Sequence, residues 1–254
     1  MTDDRETENT PERLLARAYA LRNDDPEETL KLYADWAETY DQTMIDGLAY
    51  RSPRRIAALA AVSEPRRDAR VLDVGCGTGA LTLAAQRACP ESSLVVGVDP
   101  SEEMRGLARR AGVQDVRPGS FEFLPFDDGS FDLVVSGYAI RYAEDLQRTA
   151  CELHRLLRPR GRLVLLEMIA PSSPHRRALV GRAICGFGAP VLGALCGTRS
   201  IRDLMRHFWE SVAAFALPER VVEHLVDAGF EEAEYRPLGG LLGEFRAVRP
   251  DDDV

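Results

Sequence analysis

From Arg70 onward, apolar residues fall into short unbroken runs separated by stretches of helical spacing. Arg70–Val74 (RVLDV), Leu94–Val98 (LVVGV), Phe131–Ser136 (FDLVVS) and Arg162–Met168 (RLVLLEM) are the runs, with a weaker one at Gln114–Val116. Between them Ala80–Ala88, Ser101–Ala111 and Asp145–Leu157 are spaced as helices, the second opened by Ser101 as cap with Glu102 and Glu103 in its first turn. A continuous Val/Leu run has no polar face, so these strands must be covered on both sides. Strands of that kind alternating with helices predict an α/β fold around a mostly parallel sheet. Pro174–Arg249 reads as two or three helices followed by strands near Glu232–Arg236 and Leu241–Val248.

Upstream the pattern is helical only. Residues 1–10 are polar and acidic and are expected to be a disordered tail. Pro11–Leu21 and Pro26–Tyr40 are spaced as helices. A third helix starts at Ser52-Pro53, proline standing at the first helical position, and runs to Val62. The division expected is thus a helical cap over 11–67 and an α/β domain over 68–254 that carries an insertion at about 172–217.

The 254 residues, 45% hydrophobic and 29% charged, are those of a globule with a sizeable core. A formal net charge of −9 repels phosphate backbones and disfavours nucleic acid as a partner. Of the 32 basic residues only Lys31 is a lysine. Five cysteines without a CxxC pair indicate neither a zinc site nor a disulfide framework, so no metal is expected. The acidic N-terminus is unlike a signal peptide, which predicts a cytoplasmic protein. The longest uncharged run, Ala183–Gly197, would span about 22 Å as a helix against the roughly 30 Å of a hydrocarbon layer. A transmembrane segment is therefore not expected, peripheral membrane contact stays open, and the chain could be a monomer or a homodimer.

The sharpest signal is Asp73-Val74-Gly75-Cys76-Gly77-Thr78-Gly79 between a strand and a helix. Glycines there let the backbone approach a ligand and present helix N-terminal N–H groups to its anionic part. By letter count the loop also satisfies the dinucleotide pattern, so NAD is one alternative. Against NAD, Asp73 suits an ammonium better than a pyrophosphate, and the third glycine comes early. Asp99, in Gly97-Val98-Asp99-Pro100, ends the second run where a carboxylate can accept from both hydroxyls of a ribose, in an adenosine methyl donor or in NAD.

With these residues the chain resembles a class I S-adenosylmethionine-dependent methyltransferase, most specifically from Arg70 to Met168. The resemblance implies a Rossmann-like seven-stranded, mostly parallel sheet with helices on both faces and S-adenosyl-L-methionine as methyl donor, S-adenosyl-L-homocysteine being the product. It implies a donor site made of Asp73, Gly75, Cys76, Gly77, Gly79, Asp99, Pro100, Met104, Ser120, Phe121 and Ser136. Asp99 would hold the ribose and Met104 flank the adenine, with Ser120 where the family often has an aspartate. Leu124–Asp132 (LPFDDGSFD) matches the family's loop-to-strand signature and reads as a packed turn.

Further landmarks resemble the ubiquinone/menaquinone biosynthesis C-methyltransferases, the UbiE-like group. They include Tyr40-Asp41, Tyr138–Tyr142 (YAIRY), His154–Pro159, Leu166–Met168, Glu210–Val212, Asp227–Phe230 and Gly239–Leu242. Tyr142 departs from the asparagine that usually follows the arginine, and Met205 and His207 replace the usual tyrosines. The implied catalytic residues are Arg141 and Tyr40. His207 is the sequence's own candidate base, since a neutral imidazole accepts a proton near neutral pH. His154, His175 and His224 read as structural. The acceptor expected is a hydrophobic or aromatic small molecule, a quinone precursor methylated at carbon among them. Alternatives are O-, N- or C-methylation of a natural product or lipid, an NAD-dependent oxidoreductase, and a donor-binding protein without catalysis.

Overall fold

The strand runs assemble into one sheet. A computed structural model describes residues 68–89, 94–188 and 209–251. The order is β1 (Arg70–Val74), α1 (Ala80–Ala88), β2 (Leu94–Val98), α2 (Glu102–Ala111), β3 (Asp115–Arg117), β4 (Phe131–Gly137), α3 (Leu146–Leu156), β5 (Leu157–Met168), α4 (Pro174–Arg182), α5 (Pro218–Asp227), β6 (Glu231–Gly239) and β7 (Leu242–Val248). The expected helical cap over 11–67, Tyr40 with it, and His207 lie outside the described residues.

Seven strands stand in the order β3-β2-β1-β4-β5-β7-β6. The first five pair in parallel, and β7 lies antiparallel between β5 and β6, as expected of a mostly parallel sheet closed by a hairpin. The chain winds outward from β1 through β2 to β3, then returns to lay β4 on the other side of β1. That reversal opens a crevice at the carboxyl ends of β1 and β4, where open α/β sheets bind ligands.

Alternation along each buried strand sorts its side chains between two layers. Leu72, Val74, Val134, Leu163 and Leu165 face one way and pack with Leu153 and Leu156 of α3 and Val221 and Leu225 of α5. Val71, Leu133, Val135, Val164 and Leu166 face the other way, against Leu81 and Ala85 of α1. Ala108 of α2 closes over Cys76, Val113 and Val116.

Polar anchoring fixes the amino ends of the strands. Asp132 accepts the Arg70 backbone N–H at 2.8 Å and the Arg158 guanidinium at 2.9 Å, tying β1, β4 and β5 together. Arg155 reaches the carbonyls of Phe126 and Leu124 at 2.8 and 3.3 Å, and Glu152 accepts the Leu124 N–H at 2.9 Å. The loop from Leu124 to Asp132 is accordingly a packed turn.

Several boundaries differ from the sequence reading, β4 running on to Gly137 and β6 to Gly239. β5 begins at Leu157 rather than Arg162, because Leu157 leaves α3 and pairs with Phe131 before a register shift. β3 runs one residue later than the apolar pattern suggested, its register set by pairing with Val96–Val98.

Leu153 is fully buried between α3 and the sheet, whereas Leu179 on α4 is 68% exposed. Leu153→Ala should cost about 2–5 kcal/mol in urea unfolding, whereas Leu179→Ala should change stability by less than about 0.5 kcal/mol.

Candidate active site

Three glycines after β1 turn the backbone through the left-handed region, with φ of 73° at Gly75, 53° at Gly77 and 86° at Gly79. They serve different purposes. A Cβ at Gly75 would lie 2.3 Å from the Ala139 Cβ, and one at Gly79 would lie 2.5 Å from Val113 Cγ2. Both positions are demanded by close packing, of the turn on the loop after β4 and of α1 on the edge of α2. A Cβ at Gly77 would meet nothing within 4 Å, so this is the glycine whose bareness faces open space. The Cys76 thiol packs back into the protein, close enough to β2 that a Cβ at Gly97 would lie 2.9 Å from its Sγ. Burial pushes that thiol well above its ordinary range.

Asp99 is the hub of this turn. Gly77 N–H donates to its Oδ2 and Ser101 N–H to its Oδ1, each at 2.9 Å. Gly75 and Cys76 donate to the Val98 carbonyl at 2.8 and 3.0 Å. Arg105, buried on α2, donates to the carbonyls of Asp99 and Pro100 at 2.7 and 2.8 Å. Burial raises the Asp99 carboxyl above its ordinary value, and the two backbone donors and Arg105 pull it back. Each carboxylate oxygen has used one acceptor site, which leaves capacity for two further donors such as vicinal hydroxyls.

Asp73, at the end of β1, is fully buried. Thr82 donates to its Oδ2 at 2.6 Å, but Oδ1 has no hydrogen-bond partner among the described residues. Burial pushes this carboxyl up to about 7, with Thr82 opposing and Asp99 reinforcing the rise. An orphaned buried carboxylate oxygen beside a glycine turn is what a cationic group of a ligand would satisfy. The residues therefore fit S-adenosylmethionine, whose amino acid end carries an ammonium and whose adenosine carries a ribose diol.

Met104 is buried on α2, its N–H donating to Ser101 Oγ at 3.3 Å. Ser120 is engaged through its backbone in a bridge to Phe123, N to O at 3.0 Å. The buried Phe121 ring would lie 3.9 Å from a Cβ at Gly75, which brings it to the glycine turn. Ser136 donates its hydroxyl to the Val74 carbonyl at 2.7 Å and so ties β4 to β1 just below the turn.

On the other side of the crevice, Tyr138 takes φ of 61°, and its N–H donates to the Leu166 carbonyl at 2.8 Å. A bulky residue in that conformation stores strain, which concentrates at functional loops. The loop then forms a short 3₁₀ turn, Ile140–Tyr142, that carries Arg141. The Arg141 guanidinium donates to Glu167 Oε1 at 2.6 Å, and its backbone N–H donates to Oε2 at 3.3 Å. Met168 N–H also donates to Oε1 at 2.7 Å. Burial raises the Glu167 carboxyl while Arg141 and these donors oppose the rise. Of the histidines read as structural, His154 stacks edge-on against Phe230 and His224 Nδ1 lies 2.8 Å from Gln147 Oε1.

Thr82, Arg105 and Glu167 were missed as site residues. Each had a trace in the sequence: a polar residue on the buried stripe of its helix, or one acid inside an apolar strand.

The chain matches a methyltransferase domain model over residues 72–165. It is 34% identical over 177 residues to a demethylmenaquinone methyltransferase of Chlorobaculum tepidum, covering 69% of this chain and 71% of that one. Across 98% of this chain and the whole of its relative it is 29% identical to a ubiquinone/menaquinone biosynthesis C-methyltransferase UbiE of Azotobacter vinelandii. Among solved structures, the CurJ carbon methyltransferase superposes with a TM-score of 0.63 at 17% identity over 94% of this chain and 66% of that one, a likeness of fold. These matches set aside the dinucleotide and non-catalytic alternatives that the glycine loop alone left standing. The protein is an S-adenosylmethionine-dependent methyltransferase with the class I fold, and it belongs to the UbiE-like, demethylmenaquinone methyltransferase family.

Proposed function

We propose that the protein transfers a methyl group to a ring carbon of a lipophilic hydroquinone, of the demethylmenaquinone class named for its relatives. The observation that carries this reading is the buried Arg141–Glu167 pair beside the glycine turn. It fixes a cation near the donor crevice, where an acceptor that becomes anionic needs one. S-adenosylmethionine, when bound, supplies an activated electrophilic methyl, so the protein's task is positioning, exclusion of water and management of the acceptor's protons.

Asp99 would hold the ribose diol and Asp73 Oδ1 the ammonium, with Gly77 leaving room for the backbone to approach. Met104 and Phe121 would border the adenine. Arginine stays protonated, so Arg141 stabilises the phenolate formed when the acceptor hydroxyl ionises rather than accepting the proton itself. The phenolate's electron pair then raises the nucleophilicity of the ring carbon. After the new carbon–carbon bond forms, that carbon loses its proton to a base, for which His207 or a water is the candidate. Tyr40 is proposed to line the same site. Glu167 keeps the guanidinium from swinging away, and its three donors lock the 3₁₀ turn to β5.

The donor site is tested by titrating S-adenosylhomocysteine into variants. Asp99→Ala should weaken binding by about 1.5–3 kcal/mol through loss of charge-assisted hydrogen bonds. Gly77→Val, whose side chain points into open space at positive φ, should abolish it. Unchanged affinity in both variants would refute the donor assignment.

Asp73 gives a pH signature. Its folded value lies above the ordinary 3.8, so the native state holds the proton more tightly than the unfolded chain. Stability present below about pH 4 should be lost as pH rises through about 7, on the order of 4 kcal/mol without donor. Asp73→Asn should flatten that loss in thermal unfolding while weakening donor binding. In the parent protein, donor affinity should rise with pH up to about 7 and level off above it, with proton release on binding near pH 6. Calorimetry in buffers of different ionisation enthalpy measures both, and a flat profile would count against the ammonium contact.

Arg141→Ala should lower turnover on a true acceptor at least tenfold with donor affinity nearly intact, because its effect belongs to the transition state. Glu167→Gln should give a smaller loss in turnover, and Glu167→Ala a larger one together with reduced stability, since it strands a buried guanidinium. Normal turnover in Arg141→Ala would overturn the phenolate role.

A further inference from the structure

Between Glu167 and Asp203 the chain has no acidic residue, yet it carries Arg176, Arg177, Arg182, Arg199 and Arg202 around the apolar run Ala183–Gly197. In a chain of net charge −9 this is a segregated cationic and apolar stretch rather than a trend of composition. Its first part is α4 and the π-helical turn Ala183–Gly188 that follows. α4 begins shortly after β5 ends, so it stands at the same end of the sheet as the glycine turn and Arg141.

One side of α4 is anchored. Gly181 backs onto the Trp209 indole, where a Cβ would lie 2.4 Å from Nε1, and Arg177 Nε donates to the Pro171 carbonyl at 3.1 Å. The other side faces outward. Leu179 is 68% exposed, with exposed Arg176 and Arg182 one turn away in each direction and exposed His175 one turn before it. Arg176 and Arg182 form no ion pair among the described residues. A single exposed leucine is ordinary, and so is a solvated arginine. The combination is not: an apolar residue between unpaired guanidinium groups, running into an uncharged turn, without an acid on the element.

We propose that this face of α4 docks onto an anionic lipid bilayer. Leu179 enters the headgroup boundary while Arg176 and Arg182 pair with lipid phosphates. Phosphate groups of a nucleic acid would match the arginines but give Leu179, Ala183 and Ile184 nothing to bury against. No described helix is long and apolar enough to cross a membrane, so contact made here is peripheral. The purpose of docking rests on the lipophilic-acceptor reading above, since it turns the carboxyl end of the sheet toward the phase in which such an acceptor dissolves. Its chemistry does not rest on that reading.

The test sediments the full-length protein, without acceptor, with vesicles of equal parts phosphatidylglycerol and phosphatidylcholine or of phosphatidylcholine alone. Binding should be at least tenfold stronger to the anionic vesicles and should fall as salt rises from about 0.05 to 0.5 M. The Arg176→Glu/Arg182→Glu variant should lose at least tenfold in partitioning, and so should Leu179→Asp. Arg176→Lys/Arg182→Lys should retain binding because the charge is kept. Affinity for S-adenosylhomocysteine should be the same in every variant. Equal sedimentation with both vesicle types, or undiminished binding by the charge-reversed variant, overturns the proposal. Methyl transfer by the parent protein to a water-soluble short-chain hydroquinone, without vesicles, checks the acceptor class separately. A wrong acceptor would therefore show in that assay and a wrong surface in the sedimentation.

Discussion

The site depends on one carboxylate. Asp99 holds the glycine turn through Gly77 and the start of α2 through Ser101, so the ends of β1 and β2 are set relative to each other by its two oxygens. Arg105 holds the same stretch from behind through the Asp99 and Pro100 carbonyls, and is itself paired with Glu102. The turn can then adopt three left-handed glycines without wandering, because the backbone N–H groups of Gly75 and Cys76 are committed to Val98. A preorganised cradle of this kind spares the ordering cost that a flexible loop would incur on binding.

Asp73, Asp99 and Glu167 are buried acids at the carboxyl end of the sheet, and each solves the desolvation problem differently. Asp99 is satisfied by backbone donors. Glu167 is satisfied by a guanidinium and two backbone N–H groups. Asp73 is satisfied on one oxygen only, and burial pushes its carboxyl up to about 7. That incomplete satisfaction destabilises the protein at neutral pH, and a cation placed at Oδ1 would relieve it. The amino ends of the same strands carry fully paired Asp132 and Arg155 instead.

The order of helices and strands from Arg70 to Val248, the two-sided burial of the sheet, the glycine turn and Asp99 were all readable in the amino acid sequence. They are local consequences of apolar periodicity, of glycine's access to positive φ and of a polar residue ending an apolar run. Leu153 and Leu156, for instance, face the core because they continue the stripe that Thr149 and Ala150 begin. The boundary of β5 was not readable, since Leu157 fits a helix as well as a strand until Phe131 is beside it.

Contacts between distant segments were decided only by tertiary structure. Nothing local says that Gly75 and Gly79 are bare to admit Ala139 and Val113 while Gly77 alone faces open space, because that depends on which segments the sheet brings against the turn. Nor does the isolated acid in the strand sequence RLVLLEM announce Arg141 as its partner, 26 positions earlier; parallel pairing of β4 with β5 creates that meeting. The sequence determined which residues could bear charge or bend the backbone, because those are properties of single residues and short spacings. Their pairing, their burial and hence their proton affinities came from the crossing of strands at the switch point, because desolvation and ion pairing exist only between groups that the fold has brought together.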